Sequence, residues 1–327
     1  MRSDHDALLR AVIDAPDDDA PRLIYADWCE ENGDPERAEF IRLQIEFERG
    51  SGRRRAHLQA RLDELSLYED RWTVEFDEVV RPDAEHPCRF RRGFVEELEL
   101  AASSFARHAG WLFARTPLTS ILIPHQPDVG DLIGCDPLRR LRGLTVACDA
   151  PCEPGSLLRL LASPALRTIV QLSFVGDPDG HRDWFPRYPD QAGEVLAGNS
   201  HLSGLRELRF HGVESRGLWE PARAAWIGQL TRLEATRCSI RCESVYQLTE
   251  VADLRALKVL NLAENRIGDD GLRALAETKK LDGIEVLDVR SQCERVNTWD
   301  FDLDDDDPPS PETIQLLKKR FGQRVRV

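Results

Sequence analysis

The sequence has no apolar run approaching the roughly 20 residues needed to cross a bilayer. Its first residues, MRSDHDALLRAVIDAPDDD, contain no uninterrupted apolar stretch and carry acidic flanks. A secretory signal is therefore not expected, and the expected location is cytoplasmic. Eight cysteines are present, but no export signal supports disulfides. Cytosolic thiols stay reduced, so these cysteines are expected to be small buried residues. Positive charge is in deficit: 44 Lys and Arg stand against 58 Asp and Glu, a net charge of −14. Such a surface repels phosphate backbones, which disfavours nucleic acid, and it steers basic partners toward itself. Catalytic signatures are missing too: no P-loop, no G-x-G-x-x-G after a strand, no H-E-x-x-H and no G-x-S-x-G. The runs Asp17-Asp18-Asp19 and Asp304 to Asp307 read as solvated loops. The second lacks the alternating ligands and the glycine of a calcium-binding loop.

What is present is a recurrence. Leu254 to Glu277 reads LRALKVLNLAENRIGDDGLRALAE, with leucines at 254, 257, 260 and 262, then Asn265 and Ile267. A short strand puts Leu260 and Leu262 on one face, because strand side chains alternate. Asn265 then turns the chain, and a helical pattern beginning near Asp270 closes the coil. This phasing resembles one unit of a leucine-rich repeat, which cannot bury its leucines without stacking on others. Equivalent cores are Leu98/Leu100, Ile121/Ile123, Leu144/Val146, Leu172/Phe174, Leu208/Phe210, Leu233/Ala235 and Leu287/Val289. Three residues before each pair stands Val95, Leu118, Leu141, Ile169, Leu205, Leu230, Leu257 or Ile284. Three residues after come Ser103, Gln126, Asp149, Asp177, Val213, Cys238, Asn265 and Gln292, mostly small or hydrogen-bonding. The first core positions, 98, 121, 144, 172, 208, 233, 260 and 287, are spaced by 23, 23, 28, 36, 25, 27 and 27. The expected fold class is α/β: a solenoid with a curved parallel sheet of about eight strands over residues 90–295, preceded by a small helical domain.

That helical domain spans residues 1–70. A first helix carries Ala7, Leu8, Ala11 and Val12, with Asp4 as its cap. A second, with Pro21 in its first turn, carries Leu23, Ile24, Ala26, Asp27 and Trp28 and ends at Gly33. A third starts from Asp34 and Pro35, and a fourth follows Ser51-Gly52 through Leu58, Leu62 and Leu65. Residues 19–44, DAPRLIYADWCEENGDPERAEFIRLQ, resemble the bacterial repeat-companion domain found at the N-terminus of many leucine-rich-repeat proteins. Arg22, Leu23, Tyr25, Ala26, Asp27, Trp28, Glu31, Gly33, Asp34, Pro35, Arg37, Ala38, Glu39, Phe40, Ile41 and Gln44 carry the resemblance. Cys29 stands where leucine is common. The segment FRRGFVEELEL and the C-terminal KKRFGQRVRV also look typical of such proteins. The resemblance implies an architecture and no enzymatic activity or ligand. Residues 71–89 form a connector. Residues 296–327 form an acidic loop, a closing helix from Glu312 to Phe321 and a last strand from Val325 to Val327.

No constellation of side chains selects a reaction. His125, His181, His201 and His211 fall near turns of the middle repeats and are expected to be exposed loop histidines. Cys148/Cys152 and Cys238/Cys242 lie several coils apart, unlike the close pairs of a structural zinc site. Acidic pairs such as Glu96/Glu97, with Glu99, and Asp269/Asp270 are too many for one to stand out. Asp27 and Trp28 read as an anchor and a core filler, or else as a docking surface. Neither metal nor cofactor is expected. The expected function is non-enzymatic protein binding. Its candidate residues are Glu207, Arg209, Arg232, Glu234, Asn261, Asp288 and Arg290 on the concave strand face. Glu97, Glu99, Ser120, Thr145, Gln171 and Ser173 belong to the same strip. Trp184, Phe185 and Tyr188, in the insertion at 176–201, are candidate aromatic anchors, with sealing of the core as the competing role. The partner is an unidentified protein, a basic one if charge decides, with no role for nucleic acid or membrane. Two alternatives stay open. One is an acidic inhibitor of a basic enzyme, which the ribonuclease-inhibitor-like repeat length allows. The other is a hydrolase or metal-dependent enzyme at the concave rim.

Overall fold

The computed structural model describes residues 2–80, 84, 86–124, 129–148, 154–176, 190–213, 216–292 and 309–327. The chain forms two compact units, Met1–Ile123 and Pro124–Val327.

The first unit begins with four helices, α1 (Arg2–Asp14), α2 (Asp19–Glu31), α3 (Pro35–Arg49) and α4 (Gly52–Leu65), followed by a short α5 (Glu69–Thr73). Their starts follow from local chemistry. The Asp18 side chain accepts from the Ala20 amide, and that of Asp34 accepts from the Arg37 amide with Pro35 just inside the helix. Asn32 and Gly33 end α2, Gly33 with φ of +87°. Asp4, expected as a cap, instead lies in the first turn of α1, where its charge still suits the helix dipole. The helices bury Val12, Ala26, Cys29, Ala38, Ile41 and Ile45 together with Tyr25 and Phe94.

Strands β1 (Cys88–Arg91) and β2 (Phe94–Glu99) form an antiparallel hairpin, and β3 (Ser120–Ile123) runs parallel to β2 across the helix α6 (Ala102–Leu112). The antiparallel β1 was not foreseen. Its two-residue turn, Arg92 and Gly93, has positive φ at both positions (46° and 83°), as such hairpins require. A Cβ on Gly93 would stand 2.3 Å from Ile41 Cγ1 and 2.7 Å from Ile41 Cα, so only glycine lets the turn lie against α3. The Gly93 amide donates to Gln44 Oε1 at 2.7 Å, fixing the same contact.

The second unit holds β4 (Gly143–Ala147), β5 (Gln171–Val175), β6 (Glu207–His211), β7 (Arg232–Thr236), β8 (Val259–Asn261), β9 (Val286–Asp288) and β10 (Val325–Arg326). All successive pairs are parallel. The coils are closed by α7 (Pro154–Leu161), α8 (Asp190–Gly198), α9 (Cys242–Val251), α10 (Asp269–Glu277), α11 (Pro311–Phe321) and shorter 3₁₀ turns. Helix α8 falls inside the segment read as an insertion. Ala192 and Leu196 are buried there, so this part of the segment closes a coil instead of looping out.

The eight expected cores are the strands β2 to β9, and both residues of every core pair are buried, as is the apolar residue three positions before. Within the second unit the first core residues fall in one register: Leu144, Leu172, Leu208, Leu233, Leu260, Leu287 and finally Val325. The step between coils repeats as well. The carbonyl of Arg142 accepts from the amides of Val170 and Gln171. Those of Val170, Arg206, Thr231 and Lys258 each accept the corresponding two amides of the next coil.

The turns after β8 and β9 are built around the asparagine position. Asn265 is 2% exposed. Its Oδ1 accepts from the Cys238 and Ile240 amides, and its Nδ2 donates to the carbonyls of Ala235, Leu262 and Ala263. Gln292 repeats this one coil on: Oε1 accepts from the Ile267 amide, and Nε2 donates to the Leu262, Val289 and Arg290 carbonyls. The residue just before this position is left-handed in successive coils: Gly212, Arg237, Glu264 and Ser291, with φ of 62°, 56°, 58° and 54°. Gln126, Asp149 and Asp177 lie outside the described residues.

Candidate functional site

The strand alternation that buries Leu208, Leu233 and Leu260 turns their neighbours to the opposite face. On β6 and β7 this produces a block of four charges. Glu207 pairs in register with Arg232, and Arg209 with Glu234. Arg209 Nη2 donates to Glu207 Oε2 at 2.5 Å and Arg232 Nη1 to Glu234 Oε1 at 2.6 Å. The cross-strand contacts are longer, 3.8 Å from Arg232 Nε to Glu207 and 3.9 Å from Arg209 Nε to Glu234. Each side chain is between 23% and 35% exposed. The block is thus self-neutralised and reachable. Pairs this exposed contribute little to stability, about 0–1 kcal/mol each.

The other strip residues differ in what they offer. Asn261 is half-buried, and its Oδ1 accepts from the Ala263 amide. Asp288 is only 3% exposed. Its carboxylate takes two hydrogen bonds from the Arg290 guanidinium and lies 3.5 Å from Arg326 on β10. Burial pushes the Asp288 carboxyl up, but the hydrogen bonds from Arg290 and the charges of Arg290 and Arg326 together hold it below the usual range. Arg290, 56% exposed, is the accessible member of that pair. Thr145 and Ser173 are buried, small side chains in register with each other and, for Ser173, with the longer Arg209. Gln171 is half-buried. In the first unit Glu97 and Glu99 are half-buried, Arg89 Nη1 donates to Glu97 Oε1 at 2.7 Å, and the Ser120 hydroxyl is buried without a partner.

His211 extends the strip at the end of β6. Its Nδ1 lies 2.7 Å from Thr236 Oγ1. Burial, then the nearby Arg237, lowers its pKa and favours the neutral ring. His201 follows Asn199, whose Oδ1 accepts its amide while Nδ2 donates to the carbonyls of Leu161 and Ser163. His125, His181, Cys152, Trp184, Phe185 and Tyr188 lie outside the described residues. Among the described residues no group of three or more His, Cys, Asp or Glu side chains could hold a metal ion. Cys29, Cys88 and Cys135 are free thiols, and the Cys238 thiol donates to the Thr236 carbonyl.

In the helical region Asp27 and Trp28 have evident structural work. Arg42 Nη2 donates to Asp27 Oδ1 at 2.6 Å and lies 2.7 Å from Glu30, joining α2 to α3. Trp28 packs on His5 and Tyr25, with ring centroids 5.3 and 5.8 Å away. Sequence reasoning missed the role of Arg22 and Glu96. Arg22 is fully buried; its Nη2 donates to Glu96 Oε1 at 2.7 Å and to the Pro16 carbonyl. Its Nη1 donates to the carbonyls of Arg91 and Arg92. Arg92 also reaches Glu96 Oε1, at 3.3 Å. The signal was two charged residues inside segments otherwise read as apolar packing, but nothing local pairs positions 74 residues apart.

Among the described residues no helix is long and apolar enough to cross a membrane. No family model matches the chain. No curated protein matches it either. Among solved structures it is similar to an internalin from Listeria monocytogenes, at 16% identity and a TM-score of 0.31. That similarity covers 61% of this chain, which spans 62% of the internalin chain it matches.

Proposed function

We propose that this protein is a non-enzymatic protein-binding module whose contact surface is the polar face of strands β5 to β9. The observation that carries the reading is the charge block Glu207, Arg209, Arg232 and Glu234. Four charged side chains sit side by side on a rigid strand register, partly exposed, and contribute little to holding the fold. Asn261 and Arg290 extend the same face. Because the block is neutral overall, it gives no preference for a basic partner. Residues 1–70 are the repeat-companion module that the sequence motif implies, residues 90–295 the repeats, and 296–327 the cap. Trp184, Phe185 and Tyr188 supply a second contact.

The test is affinity purification of the full chain from its native cells, comparing wild type with Glu207→Arg and with Gln247→Arg on the exposed side of α9. Binding through the strand face predicts proteins captured by wild type and Gln247→Arg but lost with Glu207→Arg. Equal capture by all three rejects it. For the aromatic contact, Trp184→Ala should weaken capture and leave the melting temperature nearly unchanged. A lowered melting temperature with capture intact assigns these rings to core sealing.

A further inference from the structure

The first unit contains a cavity of about 380 Å³ beside α2 and α3. Rings of Tyr25, Trp28, Trp72, Phe76 and Phe94 form much of its wall. That size suits a small-molecule site, and charged side chains, among them Asp34, Arg37, Arg71, Glu75 and Arg115, share the wall with the rings.

The charges around this cavity are not all paired at contact distance. Asp34 lies 3.7 Å from Arg71, and Glu75 lies 3.1 Å from Arg115, so each carboxylate has its cation. His5 is already bonded through Nε2 to the Tyr25 hydroxyl. The guanidinium of Arg37 is left over. Arg37 is 9% exposed, and its Nη1 is buried with no acceptor. Among the described residues it has no ion pair and no side-chain hydrogen bond. Rings surround it instead: its Cζ lies 4.7 Å from the Trp72 centroid, 5.1 Å from that of Phe90 and 5.5 Å from that of Phe94. Ring faces attract a cation but leave the in-plane N–H donors unfilled. The Trp72 indole N–H is also buried without a partner. An unpaired charge and unfilled donors in a buried place both cost stability, so this arrangement is chemically incomplete.

We propose that this cavity binds a small aromatic carboxylate, whose carboxylate supplies the acceptors Arg37 lacks and whose ring packs among the aromatic walls. The planar guanidinium fork matches a carboxylate in two-point contact. The nearby carboxylates of Asp34 and Glu69 already offset part of the charge on Arg37, which favours a monoanion over a dianion. The rings favour an aromatic body over an aliphatic one through offset and edge-to-face contacts. This site is separate from the strand face, and its failure would leave the protein-binding proposal untouched.

The test uses the full chain and calorimetric titration with 2-naphthoate, with 2-naphthamide as the uncharged isostere. The expected result is at least about tenfold tighter binding of the acid than of the amide. Arg37→Gln should erase that preference. Should Arg37→Gln fail to fold by circular dichroism, Arg71→Glu serves instead. Arg71 is 61% exposed at the cavity wall, so its reversal should weaken the acid several-fold and spare the amide. Equal binding of acid and amide, or no binding of either up to about 10 mM, overturns the proposal.

Discussion

The repeats of the second unit and the helical part of the first solve burial in opposite ways. In the repeats the interior is a ladder of leucines in register, and the polar groups inside it belong largely to backbone and to amides such as Asn265 and Gln292. In the first unit the guanidiniums of Arg22, Arg37 and Arg92 are buried. Arg22 is answered by Glu96 and three backbone carbonyls, whereas Arg37 is held chiefly among rings. The repeats therefore tolerate variable coil lengths, because each coil needs only the same apolar pattern. The first unit depends on single, irreplaceable pairs.

The largest expected effect is at Arg22. Arg22→Met should lose about 3–5 kcal/mol in urea unfolding, because Glu96 remains as a buried carboxylate without its main cation. Burial already pushes the Glu96 carboxyl up, against the pull of Arg22 and Arg92. Adding Glu96→Leu should recover much of the loss. No recovery would mean that packing of the guanidinium, not its charge, holds this region.

Leu260→Ala should cost about 2–5 kcal/mol in the same measurement, since stacked coils collapse poorly around a cavity. Leu260 has no exposure and pairs in register with Leu233 and Leu287. A loss below about 1 kcal/mol would contradict a tightly packed ladder.

Asn265→Ala comes next, at about 1–3 kcal/mol, from the amides of Cys238 and Ile240 left without their acceptor. Hydrogen exchange should quicken at those two amides before it does elsewhere in the strands. Unchanged exchange there would show that the turn does not depend on the side chain.

A smaller effect concerns alkali. Burial, first of all, pushes the Cys29 thiol up to about 11. An unfolded thiol ionises near about 8.5. The unfolded chain therefore releases its proton first, and stability should fall as pH rises from about 8.5 toward about 11. Cys29→Ala should flatten that decline. An identical slope in the variant would remove Cys29 as its source.

The same contrast explains what the sequence made legible. A repeating core announces itself: the eight strand pairs and the residue before each follow from a period, and the cap at Asp34 from local residue chemistry. Arg22–Glu96 and the seat of Gly93 on Ile41 occur once, between residues far apart in the chain, and no period reports them. The candidate surface was legible to the extent that alternation assigns a face. Alternation did not reveal that Asp288 would be buried under Arg290 and Arg326, nor that the charges on β6 and β7 would pair with one another.

The account's central claim is that the strand-face charges serve binding while the apolar ladder holds the fold. It is tested most directly in one protein carrying Glu207→Gln, Arg209→Gln, Arg232→Gln and Glu234→Gln, with melting temperature and partner capture measured on the same preparation. The account predicts a melting temperature within a few degrees of wild type, since exposed pairs contribute about 0–1 kcal/mol each, and capture abolished. A melting temperature that falls steeply while capture persists would contradict it.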